Sequence, residues 1–397
     1  MLQWFKYLLI LILLFLWIDN GNELIKKSMD KTETKDISLK SKNIESIFEA
    51  KTNSFKYIST RKKIIAKSTN TELTTLASQN INFENKKAIS NNLEDRNFGE
   101  KTITNNQNVS FLKIVFDNDI FNNTDYYYTN GVRIELVTGF ISHAPTSRIL
   151  PGLNNSDYDF QGFSIVQNIY TPVNPDTKEI QLHDRPFSGY LTVGHFRNSI
   201  NIEKGLKMRS EICFGILGPA SLGGVVQSSI HEADPVGWEN QIQNDIVIDY
   251  SFQIEKAVIR SKHFEGNANA NVRLGTTFNN LGGGISMRTG NFLPIIENQL
   301  PGILKFGSKK IKFWLFAKTS LKFVAYDATL QGGLFNTSNY YVLENSKINR
   351  LQFEASAGLA VYYNKIGLEL ENFYMSPEFE GAYDFRYGRI NINIGLW

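Results

Sequence analysis

The sequence predicts an all-β chain: a transmembrane antiparallel β-barrel of about twelve strands, preceded by a signal segment and a polar linker. Three observations predict it. Apolar residues recur at every second position after Asn108, an apolar run opens the chain, and an isoleucine-rich strand closes it at Trp397.

The chain has 397 residues, and a large barrel routinely uses more than about 200 as one unit. Its net charge of +3 is too small to argue for nucleic acid, and no nucleic-acid motif is present. The single cysteine, Cys213, excludes an internal disulfide and sits in an alternating segment, which gives it a structural reading. There is no CxxC and no HExxH.

Residues 1–20 place Lys6 ahead of the apolar run Tyr7 to Ile18, and the chain then turns polar at Asp19-Asn20-Gly21-Asn22. The run is shorter than the roughly twenty residues of a bilayer-spanning helix, so it reads as a secretory signal, with an uncleaved anchor as the alternative. Residues 21–108 are rich in Asn, Lys, Ser, Thr and Glu, with apolar residues too scattered to build a face. They read as a disordered linker, with a small accessory domain as the alternative.

From 109 to 397 the period is two. It is clearest at Ile246, Ile248, Tyr250, Phe252 and Ile254, interleaved with Val247, Asp249, Ser251, Gln253 and Glu255. A soluble sandwich alternates too, but the export segment, the long strands and the aromatics favour a barrel with lipid outside and a polar lumen. The expected strands are 111–117, 131–139, 160–169, 187–197, 207–216, 245–256, 267–277, 283–290, 310–325, 348–362, 366–374 and 386–397. If the first strand enters from the periplasm, the connections near 118–130, 170–186, 217–244, 278–282, 326–347 and 375–385 face the cell exterior.

Three of those connections carry more chemistry than a turn needs. The first, Asp117 to Gly131, holds three carboxylates, four amides and two threonines, although Asn130-Gly131 alone could turn a hairpin. Asn118 and Asp119 are adjacent and would face opposite ways in a regular strand, so a bulge or strand end must turn both towards one site. The second, His183 to Tyr190, contains Arg185, suited to bidentate contact with a phosphate or carboxylate, or to an internal ion pair. The third, Gly218 to Gln241, reads as a turn, a short helix with Ser221 as N-cap, and a second turn at Asp234-Pro235. On such a helix Gln227 and His231 share a face.

Together these segments resemble the outer-membrane lipid A 3'-O-deacylase family, twelve-stranded barrels that remove acyl chains from lipopolysaccharide. The resemblance covers roughly residues 110–397. Its carriers are Asn118-Asp119 with Thr124-Asp125 and Tyr128-Thr129-Asn130-Gly131, then Asp184-Arg185-Pro186 with Gly189, then Gly218 to Gly223, Gln227, His231, Asp234-Pro235 and Gly237-Trp238 with Gln241. Asp117 and Asp234 stand where relatives can carry Glu.

The resemblance implies hydrolysis of an acyl ester of lipid A by a calcium-assisted, histidine-activated water. His231, Asp234, Asn118 and Asp119 are then the catalytic candidates. Arg185, Gln227 and Thr129 are candidates for substrate binding, and Asp119, Thr124 and Asp125 for holding Ca2+. The residues alone do not divide metal ligands from substrate contacts. The partners implied are lipopolysaccharide and outer-membrane lipids, with no nucleic acid; homodimerisation is left open. Two other readings stand: a serine-type outer-membrane phospholipase using Ser221, Ser228 or Ser229 without a GxSxG elbow, and a non-enzymatic porin or surface-binding barrel.

Overall fold

The computed structural model describes residues 110–122, 126–139, 141, 144–230, 236–292 and 311–396. The signal segment, the linker and Trp397 lie outside the described residues. Twelve strands follow one another: β1 (Phe111–Asn118), β2 (Tyr127–Val137), β3 (Tyr158–Thr171), β4 (Ser188–Asn201), β5 (Leu206–Leu217) and β6 (Asp245–Arg260) form the first half. The second half is β7 (Phe264–Gly275), β8 (Phe278–Asn291), β9 (Lys312–Asp327), β10 (Leu351–Tyr363), β11 (Ile366–Met375) and β12 (Phe385–Gly395). All neighbours are antiparallel, and β12 returns to β1 with Gly395 opposite Phe111 and Gly388 opposite Asn118. Closure leaves no unpaired edge.

The alternation is inside out relative to a soluble protein. In β6, Ile246 and Ile248 point outward at 59% and 44% exposure, while Val247 and Asp249 point inward at 1% each. Ile165, Val193, Phe214, Leu281 and Leu315 are exposed in the same way on other strands. Such a belt is unfavourable in water and at ease in hydrocarbon, which separates a membrane barrel from a soluble sandwich. Among the described residues no helix is long and apolar enough to cross a membrane.

The lumen is polar and internally paired. Arg133 on β2 donates through Nη2 to both carboxylate oxygens of Glu211 on β5, at 2.7 and 2.8 Å, and through Nε to Glu135 at 2.5 Å. Arg209 on β5 reaches back to Glu135 at 3.0 Å. The Arg133–Glu211 and Arg209–Glu135 bonds join strands three places apart, so they brace the interior across the lumen. Charges withdrawn from water are tolerated there because each has a partner.

Strand direction alternates, so the β1–β2, β3–β4, β5–β6, β7–β8, β9–β10 and β11–β12 connections share one rim, here called the motif rim. Two short helices stand on it, α1 (Gly223–Ile230) after β5 and α2 (Ala328–Gln331) after β9. Two strand starts, those of β2 and β8, differ most from expectation. β2 begins at Tyr127, so Asn130-Gly131 lies within a strand and not in a turn. A Cβ on Gly131 would fall 1.9 Å from the Tyr128 hydroxyl, so this glycine lets the Tyr128 ring fold back over its own strand. β8 begins at Phe278, because Asn279 closes a tight turn onto both backbone groups of Gly275, at 3.1 and 3.0 Å.

Candidate active site

The site begins where β1 stops. Asn118 is its last residue, and Asp119 opens the 3-10 turn Asp119–Asn122, so the adjacent pair escapes the strand's alternation. Asn118 Oδ1 accepts from the Ile120 amide at 2.9 Å, a local turn that halts the strand. Asp119 is 2% exposed, and its Oδ2 accepts from the Tyr126 amide at 3.0 Å, which ties the returning chain to the end of β1. Burial, with the Asp384 and Asp119 carboxylates nearby, raises the Tyr126 phenol above its ordinary value.

One residue below, Asp117 is clamped. Arg389 of β12 donates to both of its oxygens at 2.7 Å, and the Tyr128 hydroxyl donates at 2.9 Å. Asn168 of β3 lies 3.3 Å from the Tyr128 hydroxyl and donates to the Tyr190 hydroxyl of β4 at 2.7 Å. A continuous polar chain therefore runs from β12 through β1 and β2 to β4 beneath Asn118. Thr129 occupies a bulge between Tyr128 and Asn130, where the β2–β3 register shifts, and its hydroxyl meets that of Thr171 at 2.7 Å.

The β5–β6 connection is held against β3 and β4 by glycine contacts. A Cβ on Gly189 would lie 2.8 Å from Ser221 Oγ, and Cβ atoms on Gly223 and Gly224 would press on the Trp238 ring at 3.3 and 3.2 Å. Trp238 also packs on Phe187, with centroids 5.1 Å apart. Gln167 of β3 donates to the Ser221 carbonyl at 2.6 Å. Gln227 on α1 is buried at 2%. The expected capping role of Ser221 is not what the structure has: its hydroxyl is fully buried and has no hydrogen-bond partner among the described residues, and the Leu222 carbonyl accepts the first helical bond from Val226 at 3.0 Å. Leu222 takes a left-handed conformation, φ 62, to make that entry.

Arg185 sits apart from this group. It is 1% exposed, and its guanidinium pairs with Glu378 of the β11–β12 connection, donates to Thr329 Oγ1 of α2 at 2.6 Å, and lies 4.1 Å from the centre of the Tyr170 ring. It ties three connections of the motif rim together. Glu378, Thr329 and Arg389 are partners that sequence reading misses, since each lies more than a hundred residues from the side chain it serves.

His231, Asp234, Thr124 and Asp125 lie outside the described residues, as does His143. Among the described residues no group of three His, Cys, Asp or Glu gathers at metal-holding distance. Asp119 and Asn118 nonetheless offer hard oxygen atoms on the motif rim, the donor chemistry that calcium takes.

Comparison with known proteins gives a family and several similar folds. Among solved structures, LpxR from Salmonella typhimurium is 21% identical, with a TM-score of 0.58, over 72% of this chain and 100% of that one. The beta domain of the Bordetella autotransporter BrkA gives a TM-score of 0.39 at 9% identity, covering 73% of this chain and 99% of that chain. The NanC porin gives 0.33 at 9%, over 72% and 100%. No curated protein matches the chain. The family model described as outer membrane protein LpxR matches residues 86–396, well over half of the sequence. On that match and its closed twelve-stranded barrel, the chain belongs to the LpxR family of outer membrane proteins, integral to that membrane.

Proposed function

We propose that this barrel hydrolyses an acyl ester of lipid A, a 3'-linked acyl or acyloxyacyl chain, in the outer leaflet of the outer membrane, with the motif rim facing the cell exterior. Membership of the family implies lipid A deacylase activity. The observation that carries the finer reading is the convergence of Asn118, Asp119, Thr129 and Gln227, from separate segments, on one rim of a lipid-embedded barrel, the last three with buried side chains. A lipid with its head group at the interface and its chains in hydrocarbon presents its ester bonds at the level of such a rim.

In this reading the neutral imidazole of His231 takes a proton from water, and the water oxygen adds to the ester carbonyl carbon. The carbon–oxygen bond to the sugar then breaks, the sugar oxygen takes up the proton, and a free fatty acid leaves. Asp234 orients the imidazole. Asn118, Asp119, Thr124 and Asp125 offer the oxygen donors that would hold Ca2+, which when bound supplies positive charge to the developing oxyanion. Thr129 and Gln227 hold the substrate, and Arg185 shapes the rim they share through the connections it ties. The serine alternative is disfavoured by Ser221, whose hydroxyl is sealed behind Gly189. Ser229 donates to the Val226 carbonyl at 2.7 Å, a local helix contact.

Fatty acid release from lipid A vesicles by purified protein, titrated with calcium, tests this reading. Asp119→Asn is expected to raise the calcium concentration for half activity, because it removes charge from a hard-cation site. Full activity in the presence of a chelator would remove calcium from the mechanism.

A further inference from the structure

We propose that the outer wall of β5–β7, at the rim opposite the motif rim, holds the phosphate headgroup of an anionic phospholipid, with Lys204, Lys256, Arg260 and Lys262 as its cations. The proposal rests on the barrel's membrane location and not on the hydrolytic reading.

The strand faces put this site on the lipid side. Lys256 belongs to the outward set of β6 that begins at Ile246 and Ile248, and the bulge of that strand comes only after it, between Ala257 and Ile259. Its register partners agree. Leu206 of β5 shares a face with Phe214, which is 48% exposed, and Ala268 of β7 shares one with Leu274, which is 56% exposed. Phe264, at the far end of β7, is in the same outward set as Leu274 and is itself exposed. Lys256 lies ten residues beyond Ile246 on β6. At about 3.4 Å per residue and a strand tilt of about 40°, that separation is roughly 26 Å along the membrane normal, close to the ~25 Å height of a barrel's apolar band. With Ile246 at one edge of the band, Lys256 and Phe264 stand at the other, where lipid phosphates and a barrel's aromatic girdle lie.

The cations are held in place by backbone oxygens. The β4–β5 turn, residues 202–205, closes against the end of β6: the Ala257 amide donates to the Gly205 carbonyl at 2.8 Å, the Lys256 ammonium donates to the Lys204 carbonyl, and Arg260 Nη1 donates to the Ile202 carbonyl at 2.7 Å. Gly205 takes φ 58, and a Cβ there would overlap the Arg260 guanidinium, so the glycine admits the crossing. Among the described residues none of the four cations has a carboxylate at ion-pair distance. Two exposed carboxylates stand nearby, Glu203 in the turn and Asp157, whose Oδ2 accepts from the Ile202 amide at 2.6 Å. Four cations against two carboxylates leave an excess of positive charge at the interface. Basic side chains there lay their stems along apolar wall and draw anionic headgroups to their tips.

The test is native mass spectrometry of the refolded full chain in neutral detergent, titrated with phosphatidylglycerol or with phosphatidylcholine. The expected result is retention of phosphatidylglycerol in preference to phosphatidylcholine, weakened about fivefold for each charge removed in Lys256→Gln and Lys262→Gln. Lys262→Gln leaves the hydrogen bonds of the turn intact, so it reads charge even where Lys256→Gln disturbs the fold. Lys256→Arg is expected to keep the preference, and Lys347→Gln, at an exposed ion pair on the motif rim, to leave it unchanged. Equal retention of the two lipids by the wild type, or wild-type retention of phosphatidylglycerol in the double variant, would overturn the proposal. Displacement of the lipid by excess inorganic phosphate would assign the cations to a free anion and overturn it equally.

Discussion

Arg185→Met separates a rim-ordering arginine from one that serves only as a substrate contact. The guanidinium is 1% exposed and is held by Glu378 and Thr329, with the Tyr170 ring against it. Removing it leaves the Glu378 carboxylate, itself 8% exposed, buried without its cation. Breaking a buried pair from one side costs about 3–5 kcal/mol. At about 1.4 kcal/mol per factor of ten, local opening should become roughly two to three and a half decades more frequent. Hydrogen exchange of the reconstituted barrel should show this in residues 328–350 and 376–384, with strand cores unchanged. Glu378→Leu should have a comparable effect. The double variant should lose less than the sum of the two, because no charge is then left unpaired. Unchanged exchange in Arg185→Met would refute this reasoning and return Arg185 to direct substrate contact.

His231→Gln keeps a polar side chain but removes the titratable base, so lipid A binding should survive while turnover falls by on the order of a hundredfold or more; wild-type turnover would sink the mechanism. Ser221→Ala deletes a buried hydroxyl that has no partner among the described residues, so stability, read by heat-modifiable mobility, should change by less than about 1 kcal/mol or improve, with activity kept. Abolished chemistry in a folded Ser221→Ala protein would favour a serine mechanism instead. Replacing Arg133 and Glu211 together by alanine removes one of the two β2-to-β5 links and two large luminal side chains, and planar-bilayer recordings should show higher conductance than wild type; equal conductance would mean that the pair does not narrow the lumen.

The barrel was legible because lipid reverses the usual rule while keeping its period: Ile246 and Ile248 face out, Val247 and Asp249 face in, and twelve such segments close on themselves. Local turn chemistry was less reliable. Asn130-Gly131 has a hairpin's composition, yet Gly131 serves the passage of the Tyr128 ring towards Asp117, a need visible only once both strands are paired. Ser221 has an N-cap's identity and position, but the left-handed turn at Leu222 hands the first helical bond to another carbonyl. For Arg185 the sequence offered a ligand or an internal ion pair, and its described partners Glu378 and Thr329 lie 193 and 144 residues away, beyond any local pattern. Asn118 and Asp119 were legible as a problem of direction, and the end of β1 resolves it.

The central claim is that the motif rim cleaves an acyl ester of lipid A with calcium in place. Mass spectrometry of lipid A, before and after incubation with the refolded full chain, tests it most directly, in parallel with and without a calcium chelator. The account expects loss of one acyl or acyloxyacyl unit in calcium and none in chelator. Lipid A of unchanged mass after incubation of folded protein with calcium would contradict it.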